Sequence, residues 1–188
     1  MEKIGIYGGS FNPVHIGHVE IMKYVLKEMK LDRLIVIPVG FPSHKDSLLL
    51  TGEKRIELLE AACKDIEKVT ISDIEVQNKG VSYTYDTLLN LKKKYKDAIF
   101  YEIIGEDSAD YLQEWKDYEK MVEECKFVVL KRNGYAYRAE HNNIIVLESP
   151  LYRYSSTEVR ERLKKGLDIS DMVPKKVHEI IIKEKLYR

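Results

Sequence analysis

Cysteine is scarce in this chain: two residues in 188, with no CxxC pair. Cys63 and Cys125 are isolated, each at the end of a helix-like segment. That usage fits buried free thiols in a reducing compartment, with a single structural disulfide as the disfavoured alternative. Charge of one sign is also lacking, because 31 basic and 31 acidic residues leave a formal net charge of zero. A broad nucleic-acid-binding face is thereby disfavoured, although a local basic pocket is not. No apolar run approaches the roughly 20 residues needed to span a bilayer. The opening residues enter a strand pattern directly, without a signal-peptide pattern. Linkers, internal repeats and low-complexity tracts are missing as well. The expectation is one domain over residues 1–188, large enough for a real core, with no membrane segment and a cytoplasmic address.

What is present is an alternation. Apolar, β-branched runs at Lys3–Tyr7, Leu34–Val39, Val69–Ser72, Ile99–Gly105, Phe127–Leu130 and Ile144–Leu147 read as strands. Helical spacing intervenes: Val19, Met22, Leu26 and Met29; Ile56, Leu59 and Cys63; Leu88, Leu91 and Tyr95. The fold class this predicts is α/β, a doubly wound parallel sheet with helices on both faces. From Ser155 onward the chain reads as two helices, broken at Gly166–Ser170, with Pro174 opening the second. Pro42 to Gly52 reads as a loop, and Asn133 to Asn143 as a polar stretch.

The strongest local signal follows the first strand: Gly8-Gly9-Ser10-Phe11-Asn12-Pro13-Val14-His15-Ile16-Gly17-His18. Paired glycines let backbone N–H groups approach an anion, and the helix start beyond them adds partial positive charge. Two histidines at the helix entrance bring further donors. The plain alternative is a tight turn with two capping histidines, and a second is a zinc site that lacks its remaining ligands.

Ser155-Ser156-Thr157-Glu158-Val159-Arg160 has the form of a capping box, and also of a phosphate cradle that Arg160 could reach. Gly105-Glu106-Asp107-Ser108 follows a strand at the same rim of the sheet. There Asp107 is either a helix cap or a receiver of a ribose hydroxyl. Val81 to Thr87 precedes a helix and offers either an ordinary cap or exposed N–H groups. Trp115, the only tryptophan, stands among polar neighbours and reads either as packing or as a platform for a flat ring. Pro42-Ser43-His44-Lys45 is a loop with two cationic or donor groups, while His141 and His178 have no supporting pattern.

Taken together these strings resemble the nucleotidyltransferase superfamily with an HxGH signature, and more closely the bacterial nicotinate-nucleotide adenylyltransferases. The likeness runs nearly the whole chain in the family's order: IGIYGGSFNPVHIGH, PSHK, SYTYDTL, IIGEDS with the later Trp115, VVLKR and SSTEVRERL. It implies a Rossmann-like nucleotidyltransferase fold and transfer of the adenylyl group of ATP to nicotinate mononucleotide, a step in NAD synthesis.

By position, the resemblance places Gly8, Gly9, Ser10 and Phe11 along the nucleotide and phosphate path. His15 and His18 fall on the ATP phosphates, with His18 nearest the reacting phosphorus. Ser155, Ser156 and Arg160 fall on the outer phosphates, and Lys45 also on ATP. Gly105, Asp107 and Arg132 border the adenosine; His44, Thr84 and Trp115 belong to the nicotinate side. Mg²⁺ would be held mainly through ATP phosphates, with no protein metal site. Nucleic acid and membrane are not expected as partners, and a homo-oligomer is left open.

Asn12, Val81 and Glu106 depart from the family's commonest residues; the Glu106 side chain is expected to point away from the phosphates. Pantetheine-phosphate adenylyltransferase shares the glycine turn but has no use for SYTYDTL or Trp115. Class I aminoacyl-tRNA synthetases share HIGH, yet this chain lacks a KMSKS-type loop. A nucleotide sensor that binds without catalysis is the reading from another class.

Overall fold

The computed structural model describes residues 1–40, 49–78, 80–131, 141–150 and 153–188. Six parallel strands make one sheet in the order β3-β2-β1-β4-β5-β6. They are β1 (Glu2–Gly9), β2 (Arg33–Pro38), β3 (Val69–Ile71), β4 (Ala98–Gly105), β5 (Lys126–Lys131) and β6 (Ile144–Glu148). Each lies within two residues of the run that predicted it. The runs are continuously apolar because both faces are covered: Ile4, Ile35, Val36, Ile37, Phe100, Ile103, Val128 and Val129 are all buried.

One face carries α1 (Ile16–Glu28), α2 (Gly52–Cys63), α6 (Ser156–Lys164) and α7 (Lys175–Lys183). Their inward stripes, such as Val19, Met22 and Val25 or Val159 and Leu163, recur at helical spacing and pack with Leu34, Tyr101 and Val128. The other face carries α3 (Thr84–Lys94) and α5 (Tyr118–Glu124), whose Leu88, Leu91, Met121 and Val122 pack on Ile4, Phe100 and Phe127. Each fully buried aliphatic contributes about 1.5–3 kcal/mol, so the sheet is held by its two apolar layers rather than by its exposed ion pairs.

Some local readings change. Gly52, predicted as loop, is the first residue of α2, capped by Thr51, whose side chain accepts from the Lys54 N–H. Between β4 and β5 the chain makes α4 (Glu106–Ala109), a 3₁₀ turn (Leu112–Glu114) and α5, where sequence periodicity showed only a helix start. Pro174 caps α7 as expected of a residue opening a helix. Pro42 to Lys45 and most of the Asn133–Asn143 stretch lie outside the described residues.

The strand order reverses between β1 and β4, which pair directly while the chain winds outward in opposite directions from them. A crevice therefore opens beyond their carboxyl ends, where open α/β sheets bind ligands. The loop leaving β1 is fixed there by two buried polar residues. Arg55 of α2, 1% exposed, donates to the carbonyls of Leu50 (3.2 Å), Ser10 (2.9 Å) and Val39 (2.7 Å). Asn12, also buried, accepts on Oδ1 from the Tyr187 hydroxyl (2.7 Å) and the Leu50 N–H (3.2 Å). Its carbonyl accepts from Arg160 Nη1 (2.7 Å).

Replacing Arg55 by Met keeps the aliphatic stem and strips the donors from three carbonyls. Unfolding in urea should then show a loss of about 3 kcal/mol or more at unchanged denaturant slope. A variant as stable as the parent would mean that those carbonyls find other partners.

Candidate active site

Two histidines build the centre of the crevice. His15 has extended backbone and is the N-cap of α1; its Nδ1 accepts from the His18 N–H (3.3 Å). Reciprocally, His18 Nδ1 accepts from the His15 N–H (3.2 Å), closing a capping box in which imidazoles replace the usual hydroxyl and carboxylate. The plain reading of the pair as helix caps is thus correct, and it does not compete with the functional one. An Nδ1 that accepts leaves the proton of the neutral ring on Nε2, so each ring presents one Nε2–H donor.

The rings stack with centroids 3.7 Å apart, and Phe11 meets His18 edge-on at 5.0 Å. Burial lowers the His15 pKa to about 4. Burial first, and the neighbouring His15 second, hold His18 well below its ordinary value. Both rings are neutral donors at pH 7.

They line a cavity of about 340 Å³ together with Gly8, Gly17, Gly105, Asp107, Ser108, Ser149, Ser155 and Ser156. The loop after β1 and the serine-capped helix α6 therefore converge on one space. The convergence is covalently distant but physically tight. Ser156 Oγ donates to the Pro13 carbonyl at 2.8 Å, and Ser155 caps α6 by accepting from the Glu158 N–H. Two helix N-termini, those of α1 and α6, face the same volume, a disposition that favours anions. A Cβ placed on Gly8 would meet nothing within 4 Å, so the glycine borders open space rather than packed protein.

A second cavity of about 500 Å³ adjoins the first, with Tyr7, Gly8, Gly105 and Ser108 common to both. It continues past Gly9, Thr84, Thr87, Glu75 and Glu102 to Trp115. Trp115 is half-buried with its ring edge-on to Phe127 at 6.3 Å. The N-terminus of α3 opens here. Its N-cap Tyr83 makes no side-chain cap, so the first-turn N–H groups are not consumed that way.

The sequence-selected residues therefore divide. Gly8, Gly9, Gly105, Asp107, Ser155, Ser156, His15, His18, Thr84 and Trp115 line one cavity or the other. Ser10 lines neither and gives its carbonyl to Arg55. Phe11 lies in the core at 1% exposure, with its backbone at φ +46°, and acts by buttressing His18. Arg160 lines neither cavity; it donates to the Asn12 carbonyl and to Thr157 Oγ1 (3.3 Å). Glu106 is buried and absent from both cavity walls, while Asp107 beside it is exposed. His44, Lys45 and Arg132 lie outside the described residues.

Tyr7, Ser108, Ser149 and Tyr154 line the first cavity and were missed. Ser108 was legible from its place after β4, and so by the same signal were Tyr7 at the end of the first apolar run and Ser149 after β6; Tyr154 carries no local signal. Among the described residues, no group of three or more His, Cys, Asp or Glu could hold a metal. Both histidine Nδ1 atoms are committed to caps, so the zinc alternative has no ligand set there.

Histidines held neutral in the fold bind fewer protons than the unfolded chain as pH falls. Stability should therefore be intact above about pH 6.5 and decline toward pH 4, by about 1.4 kcal/mol per pH unit for each histidine. Urea unfolding at intervals between pH 7 and 4 measures this. His15→Asn, which keeps a capping oxygen but cannot titrate, should flatten the slope.

The matches to known proteins agree with this geometry. Residues 6–162 match the cytidylyltransferase-like family model. A protein of Fusobacterium nucleatum named probable nicotinate-nucleotide adenylyltransferase is 47% identical over 97% of this chain and 98% of its own length. Its namesake in Clostridium tetani is 39% identical over the full length of both. Among solved structures, Plasmodium falciparum nicotinic acid mononucleotide adenylyltransferase complexed with NaAD superposes with a TM-score of 0.84. It covers 100% of this chain and 98% of its own, at 23% identity, and shares the fold. By its family-model match and its full-length relatives, in keeping with its sheet order and paired histidines, the chain belongs to the cytidylyltransferase-like family and, within it, to the nicotinate-nucleotide adenylyltransferases.

Proposed function

We infer that this protein transfers the adenylyl group of ATP to nicotinate mononucleotide, forming nicotinate adenine dinucleotide and releasing pyrophosphate. The observation that carries the reading is the pair of joined cavities. One is lined by neutral imidazole donors and two helix N-termini, the other by an indole and an open helix start. A triphosphate fits the first by chemistry, a pyridine carboxylate the second, and Gly8, Gly105 and Ser108 lie where they meet.

The nucleophile is the 5′-phosphate oxygen of the mononucleotide, already an anion, so no general base is required. It attacks the α-phosphorus of ATP in line; the new P–O bond forms as the bond to pyrophosphate breaks. Catalysis is then positioning plus charge stabilisation. The Nε2–H groups of His15 and His18 donate to oxygens of the triphosphate, with His18 on the α-phosphate. Ser155, Ser156 and the α6 N-terminus take the outer phosphates. Asp107 accepts from a ribose hydroxyl beside Gly105, and Arg132 completes the adenosine side. Thr84 and the α3 N–H groups meet the pyridine carboxylate while Trp115 stacks on the ring; the family resemblance assigns His44 to the nicotinate side and Lys45 to ATP.

Arg160 is a positioning residue in this scheme, because its guanidinium grips the loop that carries the histidines. A divalent metal arrives with the triphosphate as part of the substrate, and Mg²⁺ is the ion proposed, since it keeps its waters and binds through phosphates. The buried free thiols Cys63 and Cys125 support a cytoplasmic address.

Pyrophosphate release from ATP, with nicotinate mononucleotide, nicotinamide mononucleotide or phosphopantetheine offered in turn, tests the assignment. The first should be used best, and release with none would leave a nucleotide sensor. His18→Ala should lower kcat roughly 10²–10³-fold, the scale for losing one transition-state donor. Turnover close to the parent would remove His18 from the mechanism. Trp115→Ala should instead raise KM for the mononucleotide with little change in kcat, since stacking serves ground and transition states alike.

A further inference from the structure

The second cavity contains a carboxyl group that the scheme above leaves unused. Glu102 sits on β4 between Phe100 and Ile104, and its neighbours in register are Ile6 on β1 and Phe127 on β5. The residue is 4% exposed, and its Oε2 has no hydrogen-bond partner. It nonetheless lines the cavity that runs to Trp115, on the same face of the sheet as Ile6, Ile37 and Ile104. A carboxyl in that apolar wall is costly unless something completes it, and the cavity it lines is the one the proposed reaction gives to the mononucleotide.

The other groups facing Glu102 settle how it is charged. From the segment after β3 comes Glu75, which accepts from Thr87 Oγ1 of α3 (2.9 Å) and from the Gly40 N–H. Gly40 has to be glycine for that approach, since a Cβ there would collide with the Glu75 carbonyl. From the end of α5 comes the Cys125 thiol, pushed up by burial and by Glu102 itself. Tyr7 on β1 lines the same cavity. Further out, Lys92 of α3 and Glu124 of α5 pair with each other.

No cation reaches Glu102 among the described residues that face it, and its nearest charged neighbour is a second carboxylate that already has two donors. Burial raises the Glu75 carboxyl too, but its two donors oppose that rise, whereas Glu102 Oε2 has none; of the pair, Glu102 is the one favoured to hold a proton. Burial, with Glu75 second, raises the Glu102 carboxyl well above its ordinary value.

The structure assigns Glu102 a specificity-determining role on the pyridine side: as a neutral acid it donates a hydrogen bond to the carboxylate of an acid mononucleotide, and once ionised it repels that carboxylate and accepts from an amide instead. This rests on the adenylyl-transfer reading and adds that the preference for acid over amide is set by one proton on Glu102. Backbone N–H groups at the start of α3 cannot supply such a dependence, because they do not titrate.

The test is the ratio of kcat/KM for nicotinate mononucleotide to that for nicotinamide mononucleotide between pH 6 and 9. Both substrates carry the same 5′-phosphate and meet the same histidines, so those titrations cancel in the ratio. For the parent protein the ratio should fall at least tenfold as pH rises. For Glu102→Gln, nearly the same shape but unable to ionise, it should stay within about twofold across the range. For Glu75→Gln, which removes the facing negative charge, the fall should begin at lower pH. A flat ratio in the parent, or a fall that persists in Glu102→Gln, overturns the assignment while the transfer reaction itself stands. Failure of both mononucleotides to release pyrophosphate overturns both.

Discussion

The reciprocal cap between His15 and His18 is the interaction on which the site depends. Each ring spends Nδ1 on the other residue's backbone N–H, so tautomer, orientation and donor direction are decided before any ligand arrives. Burial then keeps both rings uncharged. A neutral Nε2–H is a fixed dipole, able to follow charge as it moves from the nucleophile toward the leaving group. The same contacts begin helix α1, whose stripe of Val19, Met22 and Val25 fastens it to the sheet. Local capping, tertiary packing and the chemistry of phosphate binding are here one set of bonds.

Around this pair the fold gathers segments distant in sequence. Asn12 takes bonds from α6 through Arg160, from Leu50 just ahead of the α2 cap, and from Tyr187. A chain with zero net charge can still bind two polyanions because its positive potential is local. It comes from helix N-termini and oriented N–H groups at one rim of the sheet rather than from an excess of lysine and arginine.

The six strands were legible because their burial on both faces leaves uninterrupted β-branched runs, and the glycine turn was legible because so few backbone shapes precede a helix that way. The α4 to α5 segment was not. Seven residues of α5 bury only Met121 and Val122, too few turns to declare a period. Asp117 enters it in the left-handed region, which sequence does not announce. In the site, residues adjoining a strand end, such as Tyr7 after β1's apolar run and Ser149 after β6, were foreseeable, whereas Tyr154 enters the wall through tertiary folding alone.

Arg160 shows a second job that sequence does not announce: a cation in the second turn of a capped helix looks like a phosphate ligand, and its guanidinium also donates to the Asn12 carbonyl. Glu102 was hidden for a related reason. A single acid in an apolar run carries no local sign that it is buried without a partner, which only the surrounding strands and helices reveal.

The Arg55 clamp has a consequence for robustness. A guanidinium stays charged throughout the range in which imidazoles and carboxyls gain and lose protons. Anchoring the catalytic loop through Leu50, Ser10 and Val39 carbonyls thus separates its shape from the ionisation of the groups it displays. Acidity can retune what the crevice attracts, while the scaffold beneath it keeps one contour.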